Sequence, residues 1–403
     1  MMFLPSLSQV QSAVAKYGTP LFITDADTIR AQAKHIQNGF SCLKTKIFYA
    51  IKANYNPHIV RVIKDAGIYG IDAVSPNEVR LALEIGYGPE QIIFTPSNPS
   101  NEELQYIGEK GVLPNLGSIS EVRRFGALFP GANISIRICP EVGAGECDKI
   151  TTGQQNTKFG IMMEDIPQVK RICDKYRLSI IGIHSHIGSG FYKTDDFVRS
   201  VRAVCNVASH FEHIQFLDFG GGFGVNYHIG KADIDLSHFA KAIAPIIRDF
   251  EEKNGKNIEI RIEPGKFLVS ASTVFVMKVT TVKEKSGEIF VGCDAGFGQY
   301  IRPAMYGAFQ DFINLSNPNG EKKRVQIAGN VCETCDIFNT GIELPEVREG
   351  DMLAMTVAGG YGASMSSNYN LRERCAEVLL DNGETKLIRK RDTFGDMMRN
   401  FIF

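Results

Sequence analysis

The strongest constraint on the fold is a regular alternation of short apolar runs and amphipathic segments between about residues 24 and 265. A short apolar run predicts a buried strand, and apolar residues spaced three and four apart predict a helix. Strands that alternate with helices lie parallel, because each crossover is right-handed. The eight predicted strands are 46–52, 68–74, 91–95, 112–117, 133–139, 179–187, 215–220 and 258–263.

Eight such units favour a closed (β/α)8 barrel, and the pattern alone leaves a doubly wound open sheet as the alternative. Start signals such as Ser75-Pro76-Asn77-Glu78 support several of the helices between the strands. The predicted helices are 27–39, 57–66, 77–86, 101–110, 119–128, 164–176, 194–211 and 237–253.

Beyond residue 265 few long helical patterns remain, and Gly, Asn and Asp mark the turns. This change predicts a second, C-terminal β domain, mostly antiparallel, built as a barrel or sandwich. We expect the short run Leu21–Thr24 to pair into it. The predicted domains are therefore 25–265, and 1–24 together with 266–403. The predicted strands of the second domain are 268–282, 288–293, 324–329, 351–358 and 376–389.

Composition excludes several classes of protein. The net charge of the 403 residues is −1, so the chain carries no charge footprint for nucleic acid or an acidic membrane surface. No apolar run approaches the ~20 residues that span a bilayer, and the N-terminus does not resemble a signal peptide. Nine cysteines without framework spacing favour reduced thiols in a cytoplasm.

The active site of such a barrel lies at the carboxyl ends of the strands, so those ends predict where chemistry occurs. Lys52 ends the first strand, and the sixth strand ends in HSHIGS, with His184, His186 and Ser189. The seventh runs into the glycine-rich Gly220–Gly224. The eighth ends in EPGK, at residues 263–266.

Lys52 has two interpretations on its own stretch. It could simply point to water where the strand ends, because lysine is rarely fully buried. Alternatively, it is desolvated so that its neutral amine can form a Schiff base. The other strand ends favour the second interpretation.

Those ends supply what pyridoxal phosphate requires: a Schiff-base lysine, an anion cradle, a flat group over the ring and an acid at the ring nitrogen. Consecutive glycines let backbone N–H groups converge on an anion. Glu263 closes an apolar strand, where an unpaired carboxylate is costly. An ion pair inside the barrel remains the alternative for Glu263. No metal is predicted, because no carboxylate stands at ligand spacing beside the histidines.

Seven motifs in order make the chain recognisable. They resemble the barrel-fold pyridoxal-phosphate decarboxylases, the family of the diaminopimelate, ornithine and arginine decarboxylases, and match its diaminopimelate branch. The resemblance covers nearly the whole chain. The motifs are YAIKAN (49–54), HSHIGSG (184–190), GGGFG (220–224), EPGK (263–266), CDAGFGQYIRPAMYGA (293–308), CETCD (332–336) and YGASMSSNYN (361–370).

The resemblance implies decarboxylation of meso-2,6-diaminopimelate to L-lysine and CO2, with pyridoxal 5'-phosphate as cofactor. It implies that Lys52 is the Schiff-base lysine, that His186 stacks on the ring and that Glu263 meets the ring nitrogen. The remaining residues implied in cofactor binding are Ser189, Gly222, Pro264, Gly265, Lys266 and Tyr361.

The resemblance also implies how substrate is held. Arg302 and Tyr306 match groups that bind a carboxylate, for which the arginine fork is suited. Lys266 and Tyr361 are also expected to contact substrate, and Glu333 its distal ammonium. Cys332 matches the proton donor. Cys332 and Glu333 would enter the site of a partner subunit, so the second domain is expected to complete the active site and to form the interface of a homodimer.

Two departures from the family pattern bear on the substrate. Lys266 stands where the family usually has arginine, so the bidentate fork is lost. The loop at 141–148 lacks histidines often found there. Alternatives are a decarboxylase of another basic amino acid or conjugate, a non-catalytic cofactor-binding homologue and, more distantly, a metal-dependent hydrolase. Cys332 and Cys335 could instead form a redox pair or half a zinc site.

Overall fold

The computed structural model describes residues 2–402. Met1 and Phe403, which the predicted second domain includes, and the side chain of Asp148 lie outside the described part. After helix α1 (Leu7–Tyr17) and strand β1 (Leu21–Asp25), the chain enters a closed barrel of eight parallel strands. These strands are β2 (Thr45–Ala50), β3 (Gly70–Ala73), β4 (Ile92–Phe94), β5 (Leu113–Leu116), β6 (Asn133–Arg137), β7 (Ser179–His184), β8 (Phe216–Asp218) and β9 (Glu259–Ile262).

The barrel confirms the predicted fold class and excludes the open sheet, because β9 pairs with β2 and closes the ring. One detail of the first strand was wrong. The strand ends at Ala50, and Lys52 lies in a 3-10 turn, Ile51–Ala53, that follows it.

Helices connect the barrel strands where the apolar spacing predicts them. Several begin at the expected caps: the side chains of Ser75, Ser100 and Ser118 each accept a hydrogen bond from a first-turn backbone N–H. The helices are α2 (Ala26–Gly39), α3 (Pro57–Asp65), α4 (Pro76–Ile85), α5 (Asn101–Glu109), α6 (Ile119–Leu128), α7 (Ile166–Tyr176), α8 (Thr194–Ala208) and α9 (Leu236–Asn254).

The second sheet follows the short helix α10 (Lys266–Val269). Its further strands are β10 (Thr273–Lys285), β11 (Glu288–Cys293), β12 (Phe312–Asn314), β13 (Lys322–Ala328), β14 (Ile337–Pro345), β15 (Met352–Met355), β16 (Ala376–Asp381) and β17 (Glu384–Arg389). Two short helices, α11 (Arg302–Tyr306) and α12 (Phe394–Met398), belong to the same part of the chain. The strand order is β14-β13-β11-β10-β1-β16-β17, with β15 paired to β10 and β12. The pairs β1–β16 and β11–β13 are parallel and the others antiparallel.

Leu21–Thr24 joins this sheet as expected, antiparallel to β10 and parallel to β16. The predicted strand 268–282 was wrong at its start, because residues up to Ser272 are helical and the strand begins at Thr273. The predicted strand 376–389 is a hairpin that turns at Asn382, where φ is +50°.

The two ends of the barrel differ in character. At the amino end, Arg261 stacks over Phe216 at 3.6 Å and bonds to Glu259 at 2.8 Å, while Phe48 and Ile93 fill the interior. That filling leaves the carboxyl end for a site. Among residues 2–402, no helix is long and apolar enough to cross a membrane, and all nine cysteines of the chain are free.

Candidate active site

A cavity of about 360 Å³ opens at the carboxyl ends of the barrel strands, a size that suits one small organic ligand. Its lining draws residues from the turn after β2, from the loops after β7 to β9 and from the second domain. All nine residues predicted to bind cofactor line it: Lys52, His186, Ser189, Gly222, Glu263, Pro264, Gly265, Lys266 and Tyr361.

Lys52 is held at the cavity by Asp72, the third residue of β3. The ammonium donates a short hydrogen bond to Asp72 Oδ2, and the lysine side chain is 37% exposed while that of Asp72 is 1% exposed. Burial opposes the charge on Lys52, but Asp72, Tyr361 and Glu263 together outweigh it, so the pKa of Lys52 is raised. Lys52 is therefore an ammonium aimed into the cavity.

Sequence reasoning missed Asp72. The available signal was a single carboxylate inside the apolar run 68–74, the same kind of anomaly that marks Lys52.

Glu263 lies at the floor of the cavity in a cluster with His184 and Asp218. Its Oε2 shares a hydrogen bond of 3.1 Å with His184 Nε2, and its buried Oε1 has no partner among the described residues. Burial and the nearby Asp72 raise the pKa of Glu263 to about 8. Burial, followed by Glu263, also raises the pKa of Asp218 to about 8. The cluster therefore retains protons near neutral pH.

In the sequence no carboxylate stands at ligand spacing beside the histidines, but folding brings two carboxylates to His184. His184, Asp218 and Glu263 each place a potential ligand atom within 4.8 Å of the others. Asp218 follows an apolar run, and its signal was the same as that of Asp72. Each of the three residues keeps one buried polar atom without a partner among the described residues, and the absence of a metal stays a prediction.

His186 presents a flat neutral ring to the cavity. Burial, followed by the charges of Arg137 and Lys52, holds its pKa well below the ordinary value. Its Nδ1 is buried without a partner among the described residues. A neutral imidazole can lie against an aromatic ligand without adding charge to the site.

Glycines form the cradle between the strand ends because no side chain fits there. A Cβ on Gly221 would lie 2.0 Å from the carbonyl oxygen of Glu263, and one on Gly222 would lie 2.0 Å from that of Gly188. Gly222 also has a φ of +98°, which glycine adopts without strain. Within residues 2–402 the amides of Gly222 and Gly265 donate to no other group, so they remain available to an anion.

Lys266 and Arg302 add two buried positive charges beside the cradle. Their side chains are 5% and 3% exposed, and both face the carboxylate of Glu146. Arg302 also donates to Gly360 O at 3.2 Å and to Tyr227 OH at 2.9 Å. Sequence reasoning anticipated neither Glu146 nor Tyr227.

The remaining predicted residues are distributed unevenly. Tyr306 ends α11, the helix that Arg302 begins. Cys332 is exposed, and neither Cys332 nor Glu333 lines the cavity of its own chain. Glu333 instead accepts a 2.6 Å hydrogen bond from the hydroxyl of Tyr369.

The cavity fits pyridoxal phosphate on its own features. Lys52 supplies an amine, the free glycine amides and Lys266 suit a phosphate, and the partnerless Glu263 Oε1 suits a protonated ring nitrogen. The arrangement can therefore hold an anionic aromatic aldehyde and stabilise negative charge that develops on it.

Residues 26–270 match the family model described as the pyridoxal binding domain of pyridoxal-dependent decarboxylases. The chain thus belongs to the pyridoxal-dependent decarboxylases. It is 38% identical over 394 residues to the diaminopimelate decarboxylase of Methanothermobacter thermautotrophicus, covering 95% of this chain and 92% of that one. It is 34% identical over 405 residues to that of Escherichia coli, covering 95% and 94%.

The fold agrees with these relatives. The crystal structure of diaminopimelate decarboxylase from M. jannaschii in complex with L-lysine superposes with a TM-score of 0.90 at 30% identity, covering 98% of this chain and 94% of that one. Within the family, the chain belongs with the diaminopimelate decarboxylases.

Proposed function

We propose that this chain uses pyridoxal 5'-phosphate to decarboxylate meso-2,6-diaminopimelate to L-lysine and CO2, the last step of lysine biosynthesis. The observation that carries the proposal is the convergence of Lys52, Glu263 and the glycine cradle on one cavity. The names of the relatives support the choice of substrate, and the lysine bound to one of them is the product expected here.

Lys52 is the covalent attachment point, and Asp72 keeps it in place before attachment. Gly222, Gly265, Ser189 and Lys266 hold the phosphate, while His186 covers the ring. Pro264 and Tyr361 complete the walls of the pocket. The bound cofactor supplies an electron sink for the pair of electrons released when the substrate carboxylate leaves as CO2.

Glu263 serves that sink from the protein side. Glu263 lines the cavity, and its buried Oε1 has no partner among the described residues. The raised pKa of Glu263 means that this buried position favours a shared proton over an isolated negative charge. Glu263 would share a proton with the ring nitrogen of the bound cofactor and would thereby stabilise the form of the ring that accepts electrons best.

Substrate selection falls to cations and hydroxyls in and beside the cavity, of which Lys266 and Tyr361 line it. Arg302 and Lys266 bind the distal carboxylate, which plain ornithine does not have. Tyr306 and Tyr361 add hydroxyl contacts, and Glu333 contacts the distal ammonium. Cys332 delivers the proton that the α-carbon takes up after CO2 leaves.

Cys332 and Glu333 act in the site of a second subunit, so the working form is a homodimer with shared sites. The surface beside them supports this, because Tyr369 and Leu371 are 43% and 59% exposed there. We assign residues 25–265 to the cofactor-binding domain, and 1–24 with 266–403 to the domain that completes the site and the interface. The partners are small amino acids rather than nucleic acid or membrane, and the location is the cytoplasm.

The test starts from the purified protein loaded with cofactor. Borohydride should fix the cofactor covalently on Lys52, as mass spectrometry of the peptides would show. Release of CO2 should be fastest from meso-diaminopimelate in a panel with its LL isomer, lysine, ornithine and arginine. Lys52→Ala should abolish both results, while the surface variant Lys34→Ala changes neither.

Three outcomes would contradict the proposal in different ways. Covalent fixation that survives Lys52→Ala would remove the cofactor assignment. Faster turnover of ornithine or arginine than of meso-diaminopimelate would remove the substrate, and fixation without any CO2 release would indicate a non-catalytic homologue.

A further inference from the structure

The loop at 141–148 packs against the strand-end loop that follows β7. The amide of Ala144 donates to Ile187 O at 3.0 Å, and that of Glu146 donates to Ser189 O at 2.9 Å. These bonds place the side chain of Glu146 directly above Gly190, where a Cβ would lie 2.0 Å from Glu146 Cγ. The loop thus places one carboxylate beside Lys266, a residue that lines the cavity.

That carboxylate meets the two buried cations. Glu146 Oε1 accepts a 2.8 Å hydrogen bond from Lys266 Nζ, and Oε2 lies 3.7 Å from Arg302 Nη2. The glutamate side chain is 24% exposed, whereas both cations are almost fully buried. The arrangement is that of a bound carboxylate ligand, supplied by the protein itself.

Neutralising the cations has a physical reason. Burial lowers the pKa of Lys266 to about 8, and Glu146 counteracts that effect. Two adjacent buried positive charges without a counterion would be costly. A carboxylate of the substrate would provide the same compensation, but two carboxylates at one place repel each other.

We propose that Glu146 is an internal substitute for the distal carboxylate of the substrate, holding Lys266 and Arg302 in the empty site and giving way when substrate binds. The inference rests on the proposed function, which assigns those two cations to that carboxylate. Because the internal ligand competes, the observed affinity for a carboxylate ligand is reduced by the fraction of molecules in which Glu146 holds the cations.

The pair L-lysine and cadaverine tests this directly, because the two differ only by the carboxylate. Binding of each to the cofactor-loaded protein is measured calorimetrically at about pH 7. Glu146→Gln should increase the affinity for L-lysine roughly tenfold, about 1.4 kcal/mol, and leave the affinity for cadaverine unchanged. The matched control is Glu141→Gln in the same loop, whose carboxylate accepts a hydrogen bond from Gln155 and not from either cation. This control should change the affinity for neither ligand.

Weaker L-lysine binding by Glu146→Gln would overturn the inference, because Glu146 would then be a direct partner of the ligand ammonium. Equal tightening of L-lysine and cadaverine, or no change in either, would also overturn it. A failure of this inference can be distinguished from a failure of the proposed function. If the protein releases no CO2 from meso-diaminopimelate, the proposed function is wrong. If it releases CO2 but its Glu146→Gln variant binds L-lysine no more tightly, only this inference is wrong.

Discussion

The three buried carboxylates of the site differ in protonation because their neighbours differ. Asp72 lies against the ammonium of Lys52 and holds a charge pair at the rim of the cavity. Glu263 and Asp218 lie deeper, next to a neutral His184, and burial raises the pKa of both carboxyl groups. Asp72 therefore orients the lysine that is to react, whereas the pair of Glu263 and Asp218 retains a proton.

The raised pKa of Glu263 predicts how the stability of the cofactor-free protein depends on pH. The unfolded chain loses this proton near the ordinary value of 4.5, and the folded chain keeps it to about 8. Since the folded state binds more protons in that window, the stabilisation present below it is lost as the pH rises to about 8. Glu263→Gln is neutral at every pH, so its melting temperature should fall less between about pH 5 and pH 8 than that of the wild type.

The control for this experiment is Glu84→Gln, which removes a carboxylate that pairs with Arg80 on the surface of α4. Its melting curve against pH should run parallel to that of the wild type. An equally steep fall for Glu263→Gln would contradict the assignment of a retained proton to this cluster. The protein must be free of cofactor, because a bound ligand adds its own pH dependence.

Residue patterns disclose a site when a charged or glycine-rich signal interrupts an apolar run. Lys52 and Glu263 were found in that way, and Asp72 and Asp218 show the same signal. Glu146 gives no such signal, because it lies in a polar loop. It is significant only because folding brings it to Lys266. That contact spans 120 positions, and no local pattern encodes it.

At the scale of elements, the cradle depends on two loops that hold each other. The amides of Gly190 and Phe191 donate to Gly222 O at 2.8 and 3.1 Å, and the amide of Gly224 donates to Phe191 O at 2.8 Å. Beneath them Phe191, Phe197, Phe223 and Phe239 pack with ring centroids 5.5 to 5.9 Å apart. The loops after β7 and β8 are thus one rigid unit that positions the anion site.

Gly222→Ala should break this unit, because its Cβ would meet the Gly188 carbonyl, which is backbone and cannot rotate away. We expect weaker cofactor binding by at least tenfold and a lower melting temperature. Gly230 is the matched control: it follows the same strand and has a φ of +81°, but no atom lies within 4 Å of its added Cβ. Gly230→Ala should cost about 1 kcal/mol of stability from backbone strain alone and leave cofactor affinity unchanged. Equal cofactor affinity in both alanine variants would exclude a cradle role for Gly222.

The same scale explains which elements could be predicted. The barrel units repeat strand and helix periods, so both types and most boundaries followed from apolar spacing. The second domain lacks such a repeat: its three-residue β12 is too short to show a period, and Lys266–Val269 is an apolar stretch that could be helix or strand. Its pairing order depends on contacts between distant segments, such as β1 with β16.

For the whole molecule, the open question is why two residues expected at the site lie on the surface of the single chain. Cys332 donates its backbone N–H to the side chain of Asn370, and Glu333 is bonded to Tyr369, next to the exposed Leu371. An exposed patch of this kind is typical of a surface that another subunit covers. A two-fold dimer would bring each patch to the cavity of the opposite barrel.

Mixing two inactive variants tests this arrangement. Lys52→Ala removes the attachment point from a barrel, and Cys332→Ala removes the proton donor from a second domain, so each homodimer should be nearly inactive. After co-expression, each hybrid dimer contains one site with Lys52 from one chain and Cys332 from the other. Random pairing should therefore restore about a quarter of wild-type activity. Pairing Lys52→Ala with Glu263→Gln is the control, and it should restore nothing because both changes affect the barrel. If Cys332 acted within its own chain, the first pair would also restore nothing, and the shared site would be excluded.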